Sequence, residues 1–195
     1  MAIGNSLTLI TSWGRGICST KPDNDYFGLI VAYLLNNPTT SINKNVVAHR
    51  WNFAIWERSS NRTATLDLLD PFLNTSLDLV TIQLGENVHD TSTYETDLEI
   101  LIDYVQAKAP KAQVILIDDF WDDIKSEMRK RVALKKNLMF ADLSAIRRNK
   151  KYQSRAGTEC FMEDGRIKKV SKEAETHPND EGMKFIAEKV IKVIN

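Results

Sequence analysis

Three residue types that together perform acyl transfer occur at widely separated points of this 195-residue chain. Ser6 follows a short apolar start, Asn87 follows a β-branched run, and His177 stands just before the last predicted helix. A serine nucleophile, an amide donor for an oxyanion and a histidine base are the groups that ester hydrolysis requires. The sequence therefore predicts a site for acyl transfer that is built from Ser6, Asn87 and His177.

Apolar runs that alternate with helical segments must position these three residues. Strands are predicted over Met1–Ile3, Val46–Ala48, Leu79–Leu84, Val114–Ile117 and Leu138–Ala141. Helices between such strands imply a parallel sheet covered on both faces, so we expect a single three-layer α/β/α domain over residues 1–195. Ligand sites of these sheets lie beyond the carboxyl ends of the strands. Ser6 and Asn87 both follow predicted strands.

Local signals indicate where the helices begin. Asp25 is placed to cap a helix over Tyr26–Leu35, and the last helix is expected to start near Asp180. Ser92 and Glu95 have the spacing of a capping box, in which each side chain bonds a backbone N–H of the other end of the first turn. We therefore expect a well-capped helix directly after Ser92.

The second half of the chain is more strongly charged. A helix is expected over about Asp122 to Lys136, where Glu127 and Arg131 have the i, i+4 spacing of an ion pair. Residues 145–176 are polar and basic and predict an extended loop region. The basic runs in both segments are interpreted as solvated faces, with a polyanionic glycan partner as the alternative.

The three candidate segments resemble the sequence blocks of a known family. Gly4-Asn5-Ser6 is similar to the first block of the SGNH (GDSL-like) hydrolases, whose usual Gly-Asp-Ser becomes Gly-Asn-Ser in many members. Gly85-Glu86-Asn87 resembles the Gly-x-Asn block, and His177-Pro178-Asn179 with Gly182-Met183 resembles the C-terminal histidine block. The blocks occur in the family's order and extend over almost the whole chain.

This resemblance implies a flavodoxin-like fold with about five parallel strands, and a serine esterase that needs neither metal nor cofactor. It implies that Ser6 is the nucleophile, that His177 is the general base and that Asn87 helps to hold the oxyanion. An acetylesterase that acts on a glycan or a small ester is the activity we expect.

The chain departs from the family pattern at two points. The second block normally supplies a glycine N–H to the oxyanion hole, but no glycine lies between Gly28 and Gly85. Asn52-Phe53-Ala54 is the nearest match, which makes the N–H of Ala54 the candidate donor. The usual aspartate three residues before the histidine is Ala174 here. The third triad member is therefore absent, relocated or replaced by a backbone carbonyl.

Two further residues are candidates for substrate binding. Trp13 follows the nucleophile closely, and an aromatic face suits a sugar ring. Glu86 adjoins Asn87 and either contacts substrate or faces solvent. The same residues leave two alternatives open, an O-acyltransferase and a non-catalytic glycan-binding module. A metal site is the less favoured reading of the acidic cluster between 118 and 123, because these residues are placed to cap a helix: Asp118, Asp119, Asp122 and Asp123.

The charge balance excludes some classes of partner. The chain has 26 basic and 26 acidic side chains, whereas a general binder of nucleic acid or of anionic membranes would carry a basic excess. No stretch approaches the roughly 20 apolar residues that a membrane-spanning helix needs. The two halves differ, since residues 1–100 hold 6 basic and 11 acidic side chains and residues 101–195 hold 20 and 15.

The cysteines and the N-terminus give only weak indications of redox state and localisation. Cys18 and Cys160 match no metal-binding spacing, and two free thiols are favoured over a disulfide. The N-terminus lacks the basic flank and apolar run of a signal peptide, which leaves both a cytoplasmic protein and a processed extracytoplasmic one open. The oligomeric state is not indicated.

Overall fold

Five parallel strands form the central sheet in the computed structural model, which describes residues 1–37 and 46–194. The strands are β1 (Ala2–Gly4), β2 (Arg50–Asn52), β3 (Leu79–Gln83), β4 (Gln113–Ile117) and β5 (Met139–Ala141). Their spatial order is β2-β1-β3-β4-β5, the order of flavodoxin-like folds. The predicted three-layer α/β/α architecture is confirmed.

Helices cover both faces of this sheet. They are α1 (Tyr26–Asn36), α2 (Ala54–Arg58), α3 (Tyr94–Lys108), α4 (Asp123–Lys135) and α5 (Asp180–Val193). Helices α1 and α5 contribute to one apolar cluster, and α3 and α4 contribute to the other. Successive side chains of β4 point to opposite faces of the sheet and so enter different clusters. Val114 and Leu116 belong to the α3–α4 cluster, and Ile115 and Ile117 belong to the α1–α5 cluster.

The strand register places the candidate segments at one edge of the sheet. Gly4, the last residue of β1, is paired with Asn52 of β2 and with Gln83 of β3. Chain segments that continue past these three residues therefore leave the sheet side by side. The Ser6 turn, the Ala54 segment and the Gly85–Asn87 segment are consequently neighbours.

The predicted cap of α1 forms, and α5 starts at Asp180 as expected, with Asn179 as a cap that was not predicted. The Asp25 carboxylate accepts the N–H of Gly28 at 2.8 Å, and the Asn179 side chain accepts the N–H of Gly182 at 2.9 Å. The prediction of a capping box before α3 is wrong. Thr93 is the N-cap residue and makes no side-chain capping bond, and Glu95 instead pairs with Arg131 of α4.

Three other expectations need correction. The second strand lies over Arg50–Asn52 and not over Val46–Ala48. Backbone pairing with β1 sets the position of this strand, and the apolar residues 46–48 do not. The predicted Glu127–Arg131 pair does not form, since Glu127 bonds Lys130 at 3.0 Å. Residues 145–176 are more ordered than a loop: they contain the antiparallel hairpin of β6 (Glu159–Phe161) and β7 (Ile167–Lys169) and 3-10 turns at Lys150–Tyr152 and Lys172–Ala174.

Acidic side chains of α3 face basic side chains of α4 across the protein surface. The pairs are Glu95–Arg131, Glu99–Lys135 and Asp103–Lys136. We call these three pairs the α3–α4 ladder. Because the side chains are largely solvent-accessible, each pair contributes little to stability.

Both cysteines are buried free thiols that belong to one small apolar cluster. Burial raises the pKa of Cys18 to about 12 and that of Cys160 to about 11. In the described part of the chain, no helix is both long and apolar enough to cross a membrane.

Candidate active site

Ser6 lies on a tight turn directly after β1. The Asn5 side chain accepts the N–H of Leu7 at 3.1 Å, and the Asn5 carbonyl accepts the N–H groups of Thr8 and Leu9 at 3.0 and 2.9 Å. This turn needs a glycine before it, because a Cβ on Gly4 would lie 1.8 Å from Thr8 Oγ1. Ser6 itself is half-buried.

His177 is oriented by a backbone carbonyl. Its Nδ1 lies 3.1 Å from the carbonyl oxygen of Ala174, the residue that replaces the expected aspartate. Since a carbonyl oxygen can only accept, Nδ1 carries the proton and Nε2 keeps its lone pair. Of the three possibilities left open by the sequence, the structure has the backbone carbonyl.

The surroundings of His177 favour its neutral form. The ring packs edge-on against Trp121, with 5.2 Å between ring centroids, and Trp121 Nε1 donates to the Thr176 carbonyl at 2.9 Å. Burial lowers the pKa of His177 below its usual 6.5, and the bond to the Ala174 carbonyl opposes this shift in part. The imidazole is therefore available as a base at neutral pH.

The segment Ile17-Cys18 links the Ser6 turn to the His177 turn. Ile17 N–H donates to the Ser6 carbonyl at 2.9 Å, and the Cys18 thiol donates to the Ala174 carbonyl at 3.5 Å. Within residues 1–37 and 46–194, no hydrogen bond joins the Ser6 hydroxyl to the His177 ring. Catalytic hydrogen bonds are often long without substrate and tighten in the complex.

Asn87 contacts a buried carboxylate that the sequence analysis did not single out. Asn87 Nδ2 donates to Glu57 Oε2 at 2.5 Å, and Glu57 Oε1 accepts the N–H of Gly85 at 2.5 Å. Asn5 Nδ2 also donates to Glu57 Oε1, at 3.0 Å. Glu57, on α2, is 2% exposed. One carboxylate thus joins the segments that follow β1 and β3.

Glu86 points inward, toward Arg129. Its side chain is 4% exposed, and its carboxylate lies 3.0 Å from Arg129 Nη2. It also accepts Asn5 Nδ2 at 2.8 Å and Gln83 Nε2 at 2.6 Å. The solvent-facing alternative for Glu86 is therefore wrong. The Glu86 carboxylate therefore already has Arg129, Asn5 and Gln83 as partners within the chain. A contact between Glu86 and substrate stays a prediction.

Arg129 is the cation of this buried cluster. The guanidinium is fully buried on α4, and it bonds the Ile117 carbonyl at 2.8 Å, Tyr94 OH at 2.8 Å and Asp119 at 3.3 Å. Burial, together with the charges of Asp119 and Glu57, raises the pKa of Glu86 to about 7 although Arg129 opposes the shift. We call Glu57, Glu86, Asp119 and Arg129 the buried charge cluster.

The other candidate residues have partners within the chain. The N–H of Ala54, the candidate oxyanion donor, donates to Asn52 Oδ1 at 3.0 Å and so has an intramolecular acceptor. Trp13 is half-buried and has the cations of Arg15 and Lys168 each 6.0 Å from its ring. Their roles toward a substrate stay predictions.

The acidic residues after β4 serve the backbone and nearby cations. Asp122 caps α4 by accepting the N–H groups of Ile124 and Lys125, as predicted for a helix start. Asp119 Oδ1 accepts the N–H groups of Trp121 and Asp122, while its Oδ2 faces Arg129. Asp118 pairs with Arg147 at 2.5 Å. No group of three or more potential metal ligands occurs among the described residues.

Sequence reasoning missed Glu57 and Arg129 for the same reason. Glu57 occurs in a short amphipathic segment, and Arg129 opens an Arg-Lys-Arg run that resembles a solvated helix face. Nothing in either local pattern distinguishes a buried charge from an exposed one. Position gave no signal either, since the strand predicted nearby ended at Ala48, whereas β2 ends at Asn52.

Gly85 is expected to be intolerant of a side chain. Its φ is +131°, and a Cβ would lie 2.1 Å from Tyr94 OH and 2.7 Å from Arg129 Nη2. We expect Gly85→Ala to lower the free energy of unfolding by about 3 kcal/mol or more in urea titrations. Gly157→Ala is the matched control, because Gly157 also has a positive φ but has no atom within 4 Å of its Cβ position. It should cost about 1–2 kcal/mol, and equal losses in the two variants would contradict the steric argument.

Comparison with protein-family models and with curated proteins finds no match to this chain. The fold is established by the strand order and the covering helices. The resemblance to SGNH hydrolases rests on the three sequence blocks.

Proposed function

We propose that the protein is a serine ester hydrolase of the SGNH type that removes acetyl or other short acyl groups from a carbohydrate or a small ester. The main support is the orientation of His177, whose Nδ1 is bonded to the Ala174 carbonyl at 3.1 Å and whose Nε2 is left as the basic nitrogen. The position of Ser6 on a tight turn at the carboxyl end of β1 is the second support.

In the proposed reaction, Ser6 Oγ attacks the ester carbonyl carbon while His177 Nε2 takes the hydroxyl proton. The tetrahedral intermediate collapses, the ester C–O bond breaks, and His177 returns the proton to the leaving alcohol. Water then attacks the acyl-Ser6 carbonyl carbon and gives a proton to His177. The acyl C–O bond breaks, His177 passes that proton to Ser6 Oγ, and the carboxylic acid is released with Ser6 and neutral His177 regenerated. This cycle balances without a metal or a cofactor.

The oxyanion is stabilised by hydrogen-bond donors at the strand ends. We assign the backbone N–H of Ser6 and the side-chain amide of Asn87 to this role, and the N–H of Ala54 is a third candidate. A preorganised donor of this kind changes kcat by about 10²–10³-fold. Trp13 is the candidate aromatic surface for a sugar ring.

A neutral carbonyl, in place of a carboxylate, orients the base in this mechanism. A carboxylate both fixes the tautomer and stabilises the imidazolium, whereas a carbonyl fixes the tautomer with only a partial charge. We therefore expect slower turnover than a complete triad supports, and better turnover of esters with acidic leaving alcohols.

Labelling with a serine-directed fluorophosphonate tests this proposal. The native protein should gain one covalent adduct, located on Ser6 by peptide mass mapping, and should release acetate from p-nitrophenyl acetate or acetylated sugars. His177→Ala should abolish labelling, because the nucleophile loses its base.

Two outcomes would redirect the proposal. Labelling of Ser6 with acyl release only when an acceptor alcohol is supplied would identify an O-acyltransferase. Absence of both labelling and hydrolysis would overturn the enzyme proposal and leave a glycan-binding module, which equilibrium binding of acetylated oligosaccharides would then test.

A further inference from the structure

We propose that Glu57 is the positioning residue of the oxyanion site, where its buried carboxylate fixes the side-chain amide of Asn87 with the donor edge presented to the substrate. The inference rests on the proposed ester hydrolysis and adds a residue that the three sequence blocks do not include. It concerns a residue that acts through Asn87 and does not itself touch the reacting atoms.

The hydrogen bonds of Glu57 carry the inference. Its two carboxylate oxygens accept from Asn87 Nδ2 at 2.5 Å, from Gly85 N at 2.5 Å and from Asn87 N at 3.3 Å. Asn5 Nδ2 adds a fourth donor at 3.0 Å. A side chain that is 2% exposed and accepts four hydrogen bonds has a single well-defined orientation.

This arrangement decides which way the Asn87 amide points. A primary amide has an oxygen edge and a nitrogen edge of nearly equal shape, and an oxygen turned toward an oxyanion would repel it. Because a carboxylate accepts but cannot donate, Glu57 binds the nitrogen of Asn87 and excludes the flipped rotamer. Nδ2 keeps its second N–H, which is the donor that an oxyanion needs.

Glu57 also connects the oxyanion residue to the nucleophile turn. Asn5 donates to Glu57 through Nδ2 and accepts the N–H of Leu7 through Oδ1, so it fixes the residues on both sides of Ser6. The carboxylate therefore sets the position of Asn87 relative to Ser6. Its negative charge is distributed over four donors, which limits its repulsion of a developing oxyanion.

Kinetics of Glu57→Gln test the proposal. Glutamine has a single acceptor oxygen. If that oxygen keeps the three donors that bind Oε1 in the native protein, the NH2 group faces Asn87 Nδ2, so the amide of Asn87 loses its fixed orientation. We expect kcat for p-nitrophenyl acetate to fall about 10–100-fold with KM changed less than about 3-fold, since the donor acts in the transition state. Glu127→Gln, on the exposed face of α4, is the matched control and should retain the native kcat.

A double mutant separates positioning from a general structural effect. If Glu57 acts through Asn87, then Glu57→Gln in an Asn87→Ala background should lower kcat no further than Asn87→Ala alone. Multiplied losses in the double mutant, or a native kcat in Glu57→Gln, would overturn the proposal. If Glu57→Gln does not fold, Glu57→Asp keeps the charge but shortens the reach, and a folded Glu57→Asp with native kcat would equally overturn it.

A measurement without substrate distinguishes this proposal from the proposed function. In ¹⁵N–¹H spectra, the Asn87 side-chain amide of the native protein should show one strongly downfield proton from its short bond to Glu57, and Glu57→Gln should remove that shift. The Asn87 shift can thus be present even in a protein that hydrolyses no ester, in which case the enzyme proposal fails and the contact stands. A native protein that hydrolyses esters but lacks the shift would overturn the role of Glu57 alone.

Discussion

Replacing Ser6 by alanine is expected to lower kcat/KM for p-nitrophenyl acetate by about 10⁴-fold, and replacing His177 by alanine is expected to have a similar effect. The double variant should be no slower than either single one, because a nucleophile and its base act as a unit. Steady-state kinetics measure kcat/KM of each variant, and thermal unfolding checks that each variant is folded. His49→Ala is the control, since His49 is exposed at the amino end of β2.

The pH profile of the native protein should carry the signature of His177. The base must be neutral, and burial holds its pKa below the usual 6.5, so activity should persist as pH falls to that value and decline only below it. An acid limb of kcat/KM centred above 6.5 would contradict the assignment of His177 as the buried base. Equal rates in Ser6→Ala and native protein would contradict the mechanism altogether.

Arg129→Met is expected to destabilise the fold by about 3–5 kcal/mol at pH 8, because it leaves buried carboxylates without their cation. The pKa of Glu86 is already raised to about 7 in the native protein, so its protonated form is favoured by folding. Stability from this group is present at acid pH and falls as pH rises through 7. Without Arg129 the pKa of Glu86 should rise further and the fall should extend to higher pH, so the loss in the variant should be smaller at pH 5 than at pH 8.

Urea denaturation of Arg129→Met at the two pH values provides the measurement. Arg131→Met is the matched control, since Arg131 lies on the same helix but is 57% exposed in its pair with Glu95. Its free energy of unfolding should change little, because an exposed ion pair contributes little to stability. An additional Glu86→Gln change should restore part of the stability lost in Arg129→Met at pH 8. A loss independent of pH would show that packing, and not charge, is the main contribution of Arg129.

Hydrophobic patterning was sufficient to predict the layers of this fold. The runs over β3 and β4 are continuous and β-branched because both faces of those strands are buried, and such runs are distinctive in sequence. Strand β2 lacks this signal, since its three residues are only half-buried and its pairing with β1 defines it. The short hairpin of β6 and β7 was missed because its strands also lack a continuous apolar run.

The candidate site was predictable where residue type carries the chemistry. A serine, an amide and a histidine at strand ends are conspicuous, but the acceptor for His177 is a main-chain carbonyl that any residue at position 174 would supply. Glu57 was invisible for a different reason: a buried carboxylate is recognised by its donors, and these come from Asn5, Gly85 and Asn87 on other elements. Only the tertiary structure brings them together.

The acidic residues of the α3–α4 ladder repeat every four residues on α3, and Arg131 and Lys135 have the same spacing on α4, which limits the register that the ladder can specify. Sliding α4 by one turn would bring Lys135 toward Glu95, an alternative pairing of the same sign and nearly the same energy. Arg129 has no such alternative, since Ile117, Tyr94 and the buried carboxylates surround it in one alignment alone. The exposed charges thus make the two helices attractive to each other, while the buried guanidinium of Arg129 selects the register in which they dock.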